Sequence, residues 1–198
     1  MPQVIDLNCP GCGARVSTEQ KECIYCHAPI VISSFSSAQT LSPLELNKYA
    51  SAYRKALSEN PDNQDLNMSV AMCYLRLKIY DKAIPAFEKA IEDNFDNSES
   101  FFYAAVSLLR GKKAFLAPRT DIDKAVEYIN AALMIEPRGI YHYFLAYIKY
   151  DYFERKSLNK SPNWQEHKNE AMIAGVSSTD ITQFFEMLQV EIPECFSI

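Results

Sequence analysis

The residues best placed to do chemistry are four cysteines near the start of the chain, in Cys9-Pro10-Gly11-Cys12 and Cys23-Ile24-Tyr25-Cys26. Two C-x2-C pairs separated by ten residues have the spacing of a tetrahedral four-thiolate site. Zn²⁺ takes such ligands at about 2.3 Å and, with four of them, keeps no position open for a substrate. The expected chemistry is therefore structural: a Zn²⁺, one per chain, held by Cys9, Cys12, Cys23 and Cys26. The run Cys23-Ile24-Tyr25-Cys26-His27 also matches the covalent haem pattern, and a lone C-x-x-C can be a redox pair. The first needs export and an axial ligand, the second a βαβ setting; the sequence indicates none of these.

Turns must present those thiolates. Gly13 follows the second ligand of the first pair, where a knuckle turn wants a positive φ. His27 stands in the equivalent place of the second pair, and His is among the few other residues enriched there. Pro29-Ile30-Val31-Ile32 reads as a β-prone exit strand. Residues 1–32 thus look like a small zinc ribbon. A piece this short cannot fold on an apolar core, so metal binding would supply most of its folding free energy, about 10 kcal/mol or more. Residues 33–42 are Ser-rich and unpatterned, which predicts a flexible linker.

Stepping outward, 198 residues with 48% apolar content allow one substantial core and a small satellite. The formal charge of −5 argues against a binder that works through phosphate contacts. No apolar run has signal-peptide length, and none approaches the roughly 20 residues of a membrane span. Six cysteines without an export signal read as cytoplasmic thiols and metal ligands. Cys73 and Cys195 are too isolated to suggest a disulfide framework.

From residue 43 onward, helical periodicity dominates. Ser42-Pro43-Leu44-Glu45 combines an N-cap, a first-turn proline and a capping-box glutamate. Helices are expected to end near Asn60-Pro61, Asn94-Phe95 and Glu136-Pro137. After Pro61, a pattern of small and large residues runs through Val70-Ala71, Tyr74, Tyr80, Ala83, Phe87 and Ala90, with Pro85 in the first turn of the second helix. A second unit carries Phe101, Ala104-Ala105 and Leu108, then Ala125, Ile129, Ala132 and Pro137. Eight residues are inserted between its helices, around 111–120. A third begins at Tyr143, Ala146 and Tyr150 and resumes over 164–174.

Over residues 43–178 this pattern resembles the tetratricopeptide repeat family, with Asn67 where that family often has Trp. The resemblance implies an all-α fold: a short TPR-like helical solenoid over 43–198 beside the small N-terminal ribbon. The helix at 43–59 would cap one end. A last helix at 179–190, opened by Ser177-Ser178-Thr179-Asp180, would cap the other.

The family's first helices line a groove that takes a protein partner. The corresponding positions are Met68, Met72, Leu75 and Arg76; then Phe102, Val106, Leu109 and Arg110; then Tyr141, Phe144, Ile148, Asp151 and Tyr152. Such a surface accepts an apolar helix or an extended peptide. The other outcome open to these residues is that they pack against each other and the C-terminal helix. The inserted loop carries Arg110, Lys112, Lys113 and Arg119, a basic patch for an acidic partner, a lipid headgroup or RNA, or else a solvated turn. No phosphate loop, nucleophile elbow or paired carboxylates are visible, and the three histidines are scattered. The expectation is a non-enzymatic cytoplasmic adaptor; the alternative is a nucleic-acid-associated factor using the ribbon and loop 110–119.

Overall fold

The computed structural model describes residues 4–92, 95–158 and 161–196. They form two compact units, Met1–Phe95 and Asp96–Ile198. The knuckles, the Ser-rich segment and the first helices share the first of these units. The expected helix end at Asn94 lies outside the described residues.

In the first unit, β1 (Asp6–Asn8) and β2 (Arg15–Ser17) pair antiparallel around the first knuckle, with Leu7 opposite Val16. The expected exit strand is reduced to one bridge, Glu22 with Pro29. What fixes the exit is burial: Ile30 and Ile32 are fully enclosed.

The Ser-rich segment is not a free tether, which corrects the sequence expectation. It forms the helix α1 (Phe35–Gln39), closed by a capping box between Ser34 and Ser37, with Phe35 and Ala38 buried. Five residues cannot sustain a helix in water; packing against α3 (Gln64–Arg76) does so. Two buried hydrogen bonds hold the approach. Tyr53 on α2 (Pro43–Glu59) donates to the Ile30 carbonyl at 3.0 Å, and the Ile32 N–H donates to Ser69 Oγ on α3 at 3.0 Å.

The start of α2 follows its signal, with Ser42 and Glu45 forming the capping box. At the α2–α3 turn, Asn67 donates to the carbonyls of Pro61 and Asn63 at 2.8 and 2.9 Å. Hydrogen bonds thus hold a corner where the family often packs an indole. α4 (Tyr80–Ile91) completes a hairpin with α3. It begins early enough that Pro85 lies in its second turn, one turn deeper than expected. Ala71 on α3, and Ala83 and Ala90 on α4, are essentially unexposed, the small-residue contact that lets the two backbones approach.

The second unit pairs α5 (Ser98–Leu108) with α6 (Arg119–Ile135), and α7 (Gly139–Ile148) with α8 (Trp164–Ile173). α9 (Ser178–Leu188) starts at the expected capping box of Ser177 and Asp180 and packs against α5 and α7. α7 runs on into a π-helical turn, Lys149–Glu154, and the last described residues form a 3₁₀ turn, Glu194–Phe196. The first helix of each hairpin is apolar nearly all round: every residue from Ser98 to Leu108 except Glu99 is buried. Such a helix is stable only when covered on all sides.

Phe184 of α9 is the centre of that cover. Its ring lies 4.8 Å from Phe144, 6.1 Å from Phe102 and 6.1 Å from Tyr147. Truncating so large a buried side chain removes its transfer free energy and leaves a cavity. Phe184→Ala should therefore cost about 3–5 kcal/mol, read as a fall in the urea midpoint of a tryptophan-monitored transition. Ser69→Ala should cost about 1–3 kcal/mol, because it leaves the buried Ile32 N–H without a partner.

Candidate metal centre and interaction surfaces

The two knuckles are built alike. In the first, Cys9 N–H donates to the Ala14 carbonyl and Gly13 N–H to the Cys9 carbonyl, at 2.7 and 2.9 Å. In the second, Cys23 N–H donates to Ala28 and His27 N–H to Cys23, at 2.9 and 2.8 Å. The shared turn requires a left-handed residue after each second cysteine. Gly13 has φ 81° and His27 φ 58°, as their positions predict. Gly11 serves close approach: a Cβ there would stand 2.9 Å from Ala28 Cβ and 3.2 Å from Cys26 Sγ.

All four sulfurs lie within 4.8 Å of one another. Cys9 and Cys26 Sγ are 3.6 Å apart, Cys12 and Cys23 Sγ 3.7 Å. A tetrahedron with metal–sulfur bonds of about 2.3 Å has sulfur–sulfur edges of about 3.8 Å, so the cage has the size such an ion needs. The thiols respond to each other. The Tyr25 backbone N–H, with that of Cys26 and neighbouring thiols, outweighs desolvation and draws the Cys23 thiol down to about 6. The Ala28 N–H favours the Cys26 thiolate, but desolvation and the surrounding sulfurs win and push it up to about 12. The Cys23 thiolate forms easily while Cys26 holds its proton; a central divalent cation would favour the thiolate of each ligand it binds. Cys73 is different in kind: buried within α3, its thiol is raised to about 12 by desolvation and acts as a small apolar side chain.

The residues assigned to a groove are mostly enclosed. Met68, Met72 and Leu75 are buried, and the Arg76 guanidinium lies 5.4 Å from the Phe35 ring centroid, under α1. In the second unit Phe102, Val106, Leu109, Tyr141, Phe144 and Ile148 are all at most 4% exposed. Of the two outcomes the sequence left open, self-packing is the one found here. α9 brings Phe184 onto Phe102 and Phe144, while Phe196 lies 5.3 Å from Tyr143 and 5.5 Å from Tyr150. The physical reason is the apolar character of α5 and α7 on every face. Arg110 stays exposed, 4.0 Å from Asp121.

Asp151 and Tyr152 play a part the repeat register did not foresee. Asp151 is buried, and its carboxylate accepts the Phe115 N–H at 2.8 Å and pairs with Arg155 at 2.5 Å. The inserted loop is thereby pinned to the π-helical turn, helped by a long Ala114 N–H to Tyr147 Oη contact of 3.4 Å. Lys112 and Lys113 project from this loop. Arg119 forms a two-oxygen pair with Asp123 at 2.8 Å and lies 4.9 Å from the Phe153 ring. Arg155 and Lys156 lie over Phe115 at 4.5 and 4.9 Å, and Lys156 over Tyr152 at 3.8 Å. The Arg155-Lys156 pair was not singled out from the sequence; its charge is plain there, but its proximity to a loop some forty residues earlier is not.

The histidines do not converge with a nucleophile. His27 shapes a knuckle turn, while His142 and His167 belong to α7 and α8. An open cleft of about 590 Å³ between β1 and α2 is rimmed by charges of both signs, among them Arg15, Lys48, Lys55 and Glu59.

Residues 65–97 match the tetratricopeptide repeat family model. Among solved structures, one titled "Crystal structure of MamA" aligns at a TM-score of 0.57 and 12% identity, covering 81% of this chain and 88% of that one. MamA residues 41-end from Desulfovibrio magneticus RS-1 align at 0.52 and 16%, covering 72% and 76%. A MamA from AMB-1 aligns at 0.53 and 20%, covering 75% and 78%. At these identities the likeness is one of fold, and the mostly helical, repeat-like class expected from the sequence stands. No curated protein matches the chain. Among the described residues no helix is long and apolar enough to cross a membrane.

Two outcomes follow from the geometry. Titration with Co²⁺ should saturate at one ion per chain with a tetrahedral thiolate spectrum, and Cys9→Ser or Cys23→Ser should weaken binding by about tenfold or more. Desolvation, with Lys149 and His142 nearby, lowers the His167 pKa below its ordinary value. The unfolded chain therefore binds more protons just below pH 6.5, so stability should fall as pH drops through that value. His167→Gln should flatten this slope in urea midpoints measured across pH 5–7.5.

Proposed function

We propose that this chain is a non-enzymatic cytoplasmic adaptor that binds another protein, with one structural Zn²⁺ per chain holding the N-terminal ribbon as its docking head. Zn²⁺ is the ion favoured by four thiolates in tetrahedral array. Bound there, it would clamp Cys9, Cys12, Cys23 and Cys26 and supply folding free energy rather than reactivity.

The observation that carries the docking role is the second knuckle. Ile24 and Tyr25, adjacent between Cys23 and Cys26, are 66% and 69% exposed. Large apolar side chains are rarely presented together on a rigid turn without a partner to cover them, and Tyr is enriched where binding energy concentrates. The repeat-type hairpins support the adaptor reading in general terms, since helical repeats serve as recognition scaffolds. The face of Phe102 and Phe144 is a poorer candidate, because α9 would have to leave it first.

A co-purifying protein identified by mass spectrometry, then recombined with the pure chain, tests this reading. Ile24→Glu with Tyr25→Glu should weaken that complex by about tenfold or more while metal content and helicity stay unchanged. Equal affinity for the doubly substituted chain would sink the docking role of the knuckle.

A further inference from the structure

The second unit carries a surface that the knuckle does not explain. Loop 110–119 and the segment 149–156 together hold seven cationic side chains against two carboxylates, and two of the seven, Arg110 and Arg119, pair with Asp121 and Asp123 just beyond the loop, on a chain whose net charge is −5. One of those carboxylates, Asp151, is buried and spent on Phe115 N–H and Arg155. Lys112, Lys113 and Lys156 form no ion pair among the described residues. At the middle of the loop Leu116 is 65% exposed.

We propose that the inserted loop and the π-helical turn form a docking surface for an acidic segment of a partner protein. Two of the cations, Arg155 and Lys156, are held in place before any partner arrives. Lys156 rests over Tyr152 at 3.8 Å and Arg155 over Phe115 at 4.5 Å, while the Asp151 carboxylate fixes the loop backbone. Side chains already ordered lose less entropy on binding, so their charge is more effective than that of free lysines. Like charges gathered this closely repel, and a carboxylate-rich segment relieves that repulsion. Leu116 supplies an apolar contact, which suits a peptide with acidic and apolar residues interspersed.

Nucleic acid fits the same surface less well. Single strands need bare aromatic faces for base stacking. Here Tyr152 and Phe153 are 5% and 7% exposed, and the Phe115 ring already has two cations over it. This surface lies apart from the metal ligands in sequence and in unit, so the inference stands whether or not the knuckle docks anything.

The experiment is fluorescence anisotropy with the full chain and a labelled peptide of alternating Glu and Leu. A labelled oligothymidylate of equal charge and phosphatidylserine vesicles serve as rival probes. The peptide should bind at low salt and weaken steeply as salt rises. Lys112→Glu with Lys113→Glu, both exposed loop positions, should reduce its affinity by about tenfold or more, and Lys156→Gln should reduce it less. Lys48→Glu with Lys55→Glu on α2 should leave it unchanged. Circular dichroism confirms that each variant keeps its helices. The proposal fails if the peptide does not bind at low salt, if the α2 pair weakens it as much as the loop pair, or if oligothymidylate or vesicles bind more tightly.

Discussion

A helix that is apolar on every face has to be covered on every face, and α3, α5 and α7 all live under that constraint. Their second helices cover one side by the small-residue contacts at Ala71, Ala83, Ala105 and Ala125, all fully buried. The side a repeat would leave open needs something else. In the second unit that is α9, whose Phe184 and Phe185 meet an aromatic set drawn from α5 and α7. In the first unit α1 lies against α3, and Arg76 meets Phe35. Aromatic pairs of this kind contribute about 0.5–1.5 kcal/mol each beyond the area they bury, so the covering segments are strongly held.

The same constraint couples the four-cysteine cage to the helices. A module of about thirty residues has too little core to fold alone, and its exit leads straight into the helical packing. Ile30 and Ile32 are enclosed, the Ile30 carbonyl accepts from Tyr53, and the Ile32 N–H reaches Ser69. Order in the knuckles and order in α1 therefore reinforce each other, since the backbone that leaves Cys26 is anchored within a few residues. A tether of independent length would have left the two parts free of one another.

Much of this was readable in advance. The cysteine spacing specified a cage, and the positions after Cys12 and Cys26 specified its left-handed turns. Ser42 with Glu45 and Ser177 with Asp180 marked helix starts that the fold keeps. The Ser-rich segment hides its helix from the sequence for a physical reason: a five-residue helix has no propensity signal of its own and exists because Phe35 and Ala38 find a surface. Pro85 sits a turn deeper than its residue type suggests, because a proline is tolerated best at a helix start and nothing local says that α4 begins at Tyr80. The groove positions follow from repeat register, yet register cannot say whether a later helix will fold back over them.

What the sequence determined by itself is therefore local or periodic: ligand spacing, capping, and the alternation of small and large residues that makes neighbouring helices pair. Each depends on groups within a turn or two of one another, or on a pattern that repeats. Tertiary structure alone decided that α9 seats Phe184 against Phe102, eighty-two residues away in the chain, and that Asp151 pins the loop at Phe115. Contacts between distant segments are chosen by which apolar or charged surfaces remain uncovered once local structure has formed, and no short stretch of sequence carries that information.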